Sequence, residues 1–270
     1  MMPLIICYAL LSFCSICWAS NLPLQAQHQQ PLLDTSVAIF RPAVEADLDD
    51  IITTFIDSFS PGPVWRYGRP YLKQHKHYLW CCMRAEIGAQ FKHIPNDTSV
   101  NVITVLDPPA PSFVTSRKVR RRAVALAIWK VMTPGALDTS VRSVMTPYLN
   151  VQAKCSDHLE ANLTRVEDFS RQYEAAEKHY VQDLPRKQLY LGLLATHPSW
   201  DGHGFGARHV QWGLDLAKNM SVPVTLLATP AGWPLYDELG FESLANVTIR
   251  TLDWEEDIDI WFEYMRHEVK

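Results

Sequence analysis

One segment constrains this chain more than any other. An apolar run, Leu189 to Ala195, leads through His197-Pro198-Ser199-Trp200-Asp201 into Gly202-His203-Gly204-Phe205-Gly206, and a helical stretch follows to about Asn219. A strand that ends in a glycine-rich turn and resumes as a helix must leave its sheet at the strand's carboxyl end and return along a face of that sheet. Glycines let the backbone approach a ligand closely. The first N–H groups of a helix have no intrahelical acceptor, and the helix dipole adds partial positive charge there. Such an element is suited to a pyrophosphate held by backbone donors, with no need for Lys or Arg. The dinucleotide fingerprint does not fit. It requires GxGxxG early in a βαβ unit and an acid about 20 residues further on. Here the spacing is GxGxG, it falls late in the chain, and Leu226 and Leu227 occupy the region where the acid belongs.

The remaining periodicity supplies the rest of the sheet. Val37 to Phe40, Val100 to Leu106, Ala123 to Met132, Val222 to Ala228, Phe241 to Thr251 and Asp259 to Met265 read as strands. Leu48, Ile51, Ile52, Phe55, Ile56 and Phe59 recur at helical spacing behind Asp47, a potential N-cap, and Ser60-Pro61-Gly62-Pro63 breaks that helix. A second helix is expected from about Pro70 to Phe91, and a short one from Pro230 to Leu239 with Gly240 as its stop. Leu159, Leu163, Val166, Phe169, Tyr173, Ala176 and Tyr180 repeat at steps of three and four, one packing face of an amphipathic helix. The order predicts an α/β (α+β) mixed sheet of about seven strands with helices on both faces. Residues 36–270 form a single domain with a helical insertion at about 133–186.

With 270 residues, 47% of them apolar, the chain can bury a full core, and a net charge of -4 lacks the basic field that nucleic-acid binding demands. Residues 1–35 read as a leader and a Gln/Pro-rich connector. Pro3 to Cys17 is almost wholly apolar and precedes a small-x-small pattern, so residues 1–19 resemble a secretory signal peptide, although no Lys or Arg precedes the run. The run is too short for a stable membrane span. Two locations therefore remain open, the cytoplasm and the secretory route. Four sequons begin at Asn96, Asn162, Asn219 and Asn246. Cys81, Cys82 and Cys155 are expected as reduced thiols packed as small hydrophobes. No CxxC occurs, and His75 and His77 diverge on a helix, so no metal site is expected.

The run LYLGLLATHPSWDGHGFGARHVQWGLDLAK, residues 189–218, resembles the central motif of the GNAT N-acetyltransferases, the fungal type in particular. In that family a strand is followed by Gln/Arg-x-x-Gly-x-Gly/Ala and a helix, and Gly204 and Gly206 match the glycines. VPVTLLATPAGWPLYDELGF, residues 222–241, resembles the family's next strand and helix. The resemblance is strong over about 185–250, compatible over 37–132, and absent from 1–35 and most of the insertion. It implies a GNAT-like fold and an acyltransferase that uses acetyl-CoA as co-substrate, without a metal. The acceptor would be an amine of a small molecule or peptide, attacking the thioester directly. Leu194, Ala195 and Thr196 would then pair with the pantetheine arm. Asp201, Gly202, His203, Gly204, Phe205, Gly206 and Ala207 would hold the pyrophosphate, and Tyr236 would be the proton donor to the leaving thiolate. Three positions depart from the family pattern. Asp201 replaces Gln or Arg, while Gly192 and Leu227 stand where candidate general bases are common. His197 is then the titratable group nearest in sequence to the reaction centre, and an acetyl-CoA-binding protein that has lost catalysis is the alternative reading. Arg117 to Arg122 offer charge for a CoA phosphate or a solvated loop, and Trp65, Trp129 and Trp233 are candidates for the acceptor pocket or for core.

Overall fold

The computed structural model describes residues 38–106, 120–134, 155, 157–253 and 259–269. The expected leader, the Gln/Pro connector, and Arg117 and Lys118 lie outside them. Seven strands form one mixed sheet: β1 (Ile39–Pro42), β2 (Thr98–Leu106), β3 (Arg121–Met132), β4 (Gln188–Thr196), β5 (Val224–Ala228), β6 (Glu242–Ile249) and β7 (Ile260–His267), in the spatial order β1-β2-β3-β4-β5-β7-β6. The β4–β5 pair is parallel, whereas the other neighbours are antiparallel. A parallel pair needs a crossover, and the helix behind the glycine turn supplies it.

The helices are α1 (Leu48–Phe59), α2 (Pro63–Gly68), α3 (Leu72–Phe91), α4 (Leu163–Glu177), α5 (Phe205–Met220) and α6 (Trp233–Glu238). On one face of the sheet, Ile51, Ile52, Phe55 and Ile56 of α1 join Leu79 and Met83 of α3 against Val102, Leu126, Leu193 and Ala195. On the other, Val210 and Ala217 of α5 and Tyr236 of α6 meet Ala127, Trp129, Leu189, Leu191 and Leu226. Successive residues of β3 thus serve opposite faces, as the strand period requires. The contact of α5 with β3 is close at one point: a Cβ on Gly213 would lie 2.1 Å from the Trp129 ring. That places Trp129 in the core.

Ser60 to Gly62 end α1 at Phe59 as expected, and Pro63 also opens α2, proline being favoured at the first helical position. Two local features differ from the sequence reading. Asp47 makes no side-chain cap to α1; its carboxylate takes two bonds from Arg41 (2.6 and 2.8 Å) and one from the Val44 N–H (2.9 Å). The second is a correction. Cys82 and Cys155 form a disulfide with a Cα–Cα separation of 5.7 Å, and Cys81 is an exposed free thiol. Cys82 faces inward from α3, and its partner lies 73 residues away, a distance that no spacing rule connects.

Between β3 and β4, α4 is capped by Asn162, whose side chain accepts the Arg165 N–H at 3.3 Å, and it runs into a π-turn over Lys178–Gln182. Its Phe169 and Tyr173 pack on Tyr67 of α2 and on Ile249, Ile260 and Phe262 of β6 and β7. The far end of α4 is thereby brought to the middle of the sheet.

Candidate functional site

The site begins with a one-residue irregularity. On β3, Ala125 to Ile128 face Thr196 to Leu193 in turn, but Trp129 faces Leu191, so Gly192 is the extra residue of a bulge on β4. A bulge bends its strand and ends regular pairing, and glycine accepts the distortion readily. The β4–β5 ladder accordingly covers only Leu189–Leu191 against Val224–Leu226. Beyond it the two strands part. A cavity of about 980 Å³ opens between them, bounded by β4 from Leu191 to Thr196, the α1–α2 turn, the glycine loop, α6 and Ile260–Phe262 of β7. That volume is at the upper end of small-ligand sites.

The glycine loop forms the cavity's floor at the β4 end. Gly202 and Gly204 have φ of +77° and +74°, and a Cβ on either would meet nothing within 4 Å. The loop needs left-handed backbone there, and it leaves open space in front of itself. Arg208 makes the first helical bond, to the Gly204 carbonyl (3.0 Å), so the N–H groups of Phe205, Gly206 and Ala207 precede the α5 ladder. The Phe205 ring is buried beneath the loop among Ile103, Val105, Val124 and Ala125. The His203 ring folds back on the loop, with Nδ1 at 3.1 and 3.0 Å from the Trp200 and Asp201 carbonyls. Asp201 lines the same cavity. Desolvation raises its pKa, and His197 and His203 pull it the other way.

Other expected residues divide between cavity and scaffold. Leu194 and Ala195 line the cavity, as does Thr196, but the Thr196 carbonyl already accepts the Ser58 hydroxyl at 2.6 Å, which ties α1 to β4. Tyr236 lies in the opposite wall, packed edge-on against Phe241 at 5.7 Å, and burial pushes its phenol well up. Leu227 also lines the cavity. His197 does not: Nδ1 accepts the Ser199 N–H (3.2 Å) and Nε2 lies 3.4 Å from Asp57. Of the three tryptophans only Trp65 reaches the cavity, since Trp233 donates to Ser243 (3.1 Å) outside it. Arg120 pairs with Asp50 (2.9 Å) and Arg121 with Thr104 (3.0 Å), structural contacts of the sheet edge.

The insertion adds residues that the sequence reading passed over. Tyr173 of α4 forms part of the cavity wall. One turn further along α4, Glu177 Oε1 accepts the hydroxyl of Tyr190 of β4 at 2.8 Å. All three side chains are buried. Desolvation raises the Glu177 carboxyl to about 7; the Tyr190 bond opposes this, nearby Glu174 adds to it, and Lys130 opposes it. A charged residue four positions after Tyr173, inside an otherwise apolar helix face, was the available clue. Among the described residues no cluster of His, Cys, Asp and Glu could hold a metal, and no helix is long and apolar enough to cross a membrane.

No protein-family model matches the chain. A stretch of 57 residues is 45% identical to a protein named Probable acyltransferase SID5 from Ajellomyces capsulatus, covering 20% of this chain and 42% of that one. The chain thus spans less than half the length of this curated relative. Among solved structures it is similar to a Corynebacterium glutamicum protein described as histone acetyltransferase HPA2 and related acetyltransferase, at 18% identity over 87% of this chain and 97% of that one, with a TM-score of 0.48. It is similar also to the polyamine N-acetyltransferase of Drosophila melanogaster, at 10% identity over 86% and 100% of the two chains and a TM-score of 0.49. A third is NAA60 of Arabidopsis thaliana in complex with acetyl-CoA, at 10% identity, 85% and 97% coverage and a TM-score of 0.42.

Proposed function

We propose that the chain is a GNAT-type N-acetyltransferase that moves the acetyl group of acetyl-CoA to an amine. The observation that carries the reading is the parting of β4 from β5 at the Gly192 bulge, directly beside a helix start whose loop holds open space in front of two left-handed glycines. A pyrophosphate fits that cradle, because the N–H groups of Phe205, Gly206 and Ala207 are donors without helical acceptors. The β4 edge past Gly192 has no β5 partner, so its backbone can pair with an extended amide arm such as pantetheine. Acetyl-CoA would supply an activated thioester carbonyl in the gap between the strands.

This chain's residues then have three tasks. Backbone N–H groups at the bulge are donors for charge that develops on the carbonyl oxygen. The α1–α2 turn and Trp65 shape the side from which the amine enters. Tyr236 holds a proton for the departing sulfur. Burial raises its pKa and keeps the phenol neutral, so it carries a proton to donate at neutral pH. Calorimetry with acetyl-CoA and a free-thiol assay with a panel of amines test the reading together. Binding with amine-dependent CoA release is expected. Binding without release from any amine would support a non-catalytic binder, and no binding would end both readings.

The disulfide supports the secretory alternative for location, because such bonds persist in oxidising compartments. Asn96 and Asn219 are exposed, whereas Asn162 serves as a helix cap. Secreted material should lose mass on glycosidase treatment, and an unchanged mass with a free Cys82 would place the chain in the cytoplasm.

A further inference from the structure

A second cavity lies beside the first. It holds about 660 Å³ between α2, the start of α3 and the start of α4, and it shares the rim formed by the α1–α2 turn and Trp65 with the cavity that the glycine loop bounds. Its chemistry is different. Arg66, Arg69, Lys73, Lys76 and Arg165 line it, and among the described residues no carboxylate does. Two acids approach these cations from outside the lining: Asp57 meets Lys76 at 2.5 Å, and Glu160 stands 3.9 Å from Arg69. Neither Lys73 nor Arg165 has a carboxylate partner among the described residues. Arg165 instead donates to the Asp253 carbonyl and lies over the Tyr67 ring at 5.3 Å.

The scaffold fixes these cations around a concave surface. The Asn162 N–H donates to the Gly68 carbonyl (2.9 Å) and the Tyr71 N–H to the Glu160 carbonyl (3.2 Å), which ties the start of α4 to the α2–α3 link. A Cβ on Gly68 would lie 3.1 Å from a Val166 methyl, so α2 and α4 pack closely there. Arg69 is buried, with its guanidinium 4.7 Å from the centre of the Trp65 ring. Like charges gathered around one cavity raise each other's energy, and an anion bound among them relieves that cost. A concave wall also concentrates their field on whatever enters.

Resting on the acetyl-transfer reading, we infer that this cavity is a second subsite for the acceptor and that it takes a carboxylate or a phosphate. The acceptor is then an amine that carries an anionic group, with several atoms between the two. The amine lies in the acetyl cavity on one side of Trp65, and the anion meets Lys73 and Arg165 on the other. Arg offers a planar fork for two oxygens and Lys a mobile point charge, a pair that suits either oxyanion. The pyrophosphate cradle is separate, since the glycine loop lines the first cavity and not the second. The same charges discriminate among amines: an acceptor with further positive groups, such as a polyamine, is repelled where an acidic one is drawn in.

Paired acceptors test the subsite. CoA release from acetyl-CoA is compared for ε-aminocaproate against its amide and for glucosamine phosphate against glucosamine. The anionic member of at least one pair should have the higher kcat/KM by about tenfold or more, chiefly through KM, and the pair that shows it identifies the oxyanion. Added salt should shrink the preference. In Lys73→Gln and in Arg165→Gln it should fall to about threefold or less, with acetyl-CoA affinity retained by calorimetry. Lys73 is exposed, so Lys73→Gln decides the matter should Arg165→Gln fold poorly. Lys218→Gln, an exposed change on α5, should keep the full preference. No preference in either pair, or a preference that survives in Lys73→Gln, would overturn the subsite while leaving acetyl transfer intact. A variant that weakens acetyl-CoA in place of the amine would overturn it too, and would assign the cavity to the cofactor. Absence of CoA release in the unmodified protein with every amine would instead remove the parent reading, and the subsite with it.

Discussion

Replacing Glu177 by Gln should make the protein more stable at pH 8 and leave it nearly unchanged at pH 5. The carboxyl is 2% exposed, and its pKa rises from 4.5 to about 7 on folding. The folded chain therefore binds this proton more tightly than the unfolded chain. Between about pH 4.5 and 7 the native state holds more protons, so stability falls as pH rises through that window, and above it the whole cost is present. Roughly two and a half pH units at about 1.4 kcal/mol each give about 3 kcal/mol. Gln preserves the acceptor for the Tyr190 hydroxyl and places its amide where Oε2 has no partner, so it imitates the protonated acid without its ionisation. Urea unfolding of both proteins at intervals from pH 5 to 8.5 measures the difference directly, and carboxylates common to both cancel. The difference should grow from under about 1 kcal/mol at pH 5 towards about 3 kcal/mol at pH 8. A difference independent of pH, or a less stable variant at pH 8, would show that Glu177 is not held neutral by burial.

Other perturbations separate the cleft from the scaffold. Gly204→Val should weaken acetyl-CoA binding more than tenfold, at least about 1.4 kcal/mol by calorimetry, while leaving the fold intact, because its Cβ meets no protein atom but its φ of +74° strains a branched residue. Tyr236→Phe should lower kcat with little change in acetyl-CoA affinity, which steady-state kinetics and calorimetry resolve. Gly213→Ala should lower unfolding stability by about 2 kcal/mol or more, since the new methyl falls 2.1 Å from the Trp129 ring. Cys82→Ser should lower it by about 4 kcal/mol for a closure of 73 residues, and dithiothreitol should reproduce the shift in the unmodified protein alone.

Much of this architecture is encoded over short stretches. The central strands β2 to β5 contain apolar runs, and α1, α3 and α5 bury faces that recur every three or four residues, so much of the element order follows from local periodicity. The glycine loop is equally local, for a left-handed turn and a helix start depend on neighbouring residues alone. Features that depend on distant partners were not legible. The Asp47 carboxylate prefers Arg41 across the β1–α1 turn to the helix it precedes. Cys82 meets Cys155 because the insertion returns across α3. α2 was hidden because Pro63 marks a helix start as readily as a break.

Gly192 has a structural role that the comparison with the family pattern does not show. As a missing acid it suggests lost chemistry, yet in the structure it is the bulged residue at which β4 leaves β5 and the cavity begins. Steric exclusion is not the reason for glycine here: a Cβ would stand 3.5 Å from the Tyr190 ring and 3.9 Å from the Ile128 carbonyl, ordinary contacts. Electrostatics give a better reason. A carboxylate at 192 would extend beside the same tyrosine that donates to Glu177, and two like charges around one buried phenol raise each other's cost of ionisation. One acid can occupy this neighbourhood cheaply, and the chain has placed it on the inserted helix. Glycine at 192 meanwhile suits the bulge, since it bends easily where β4 leaves β5 and the cavity begins.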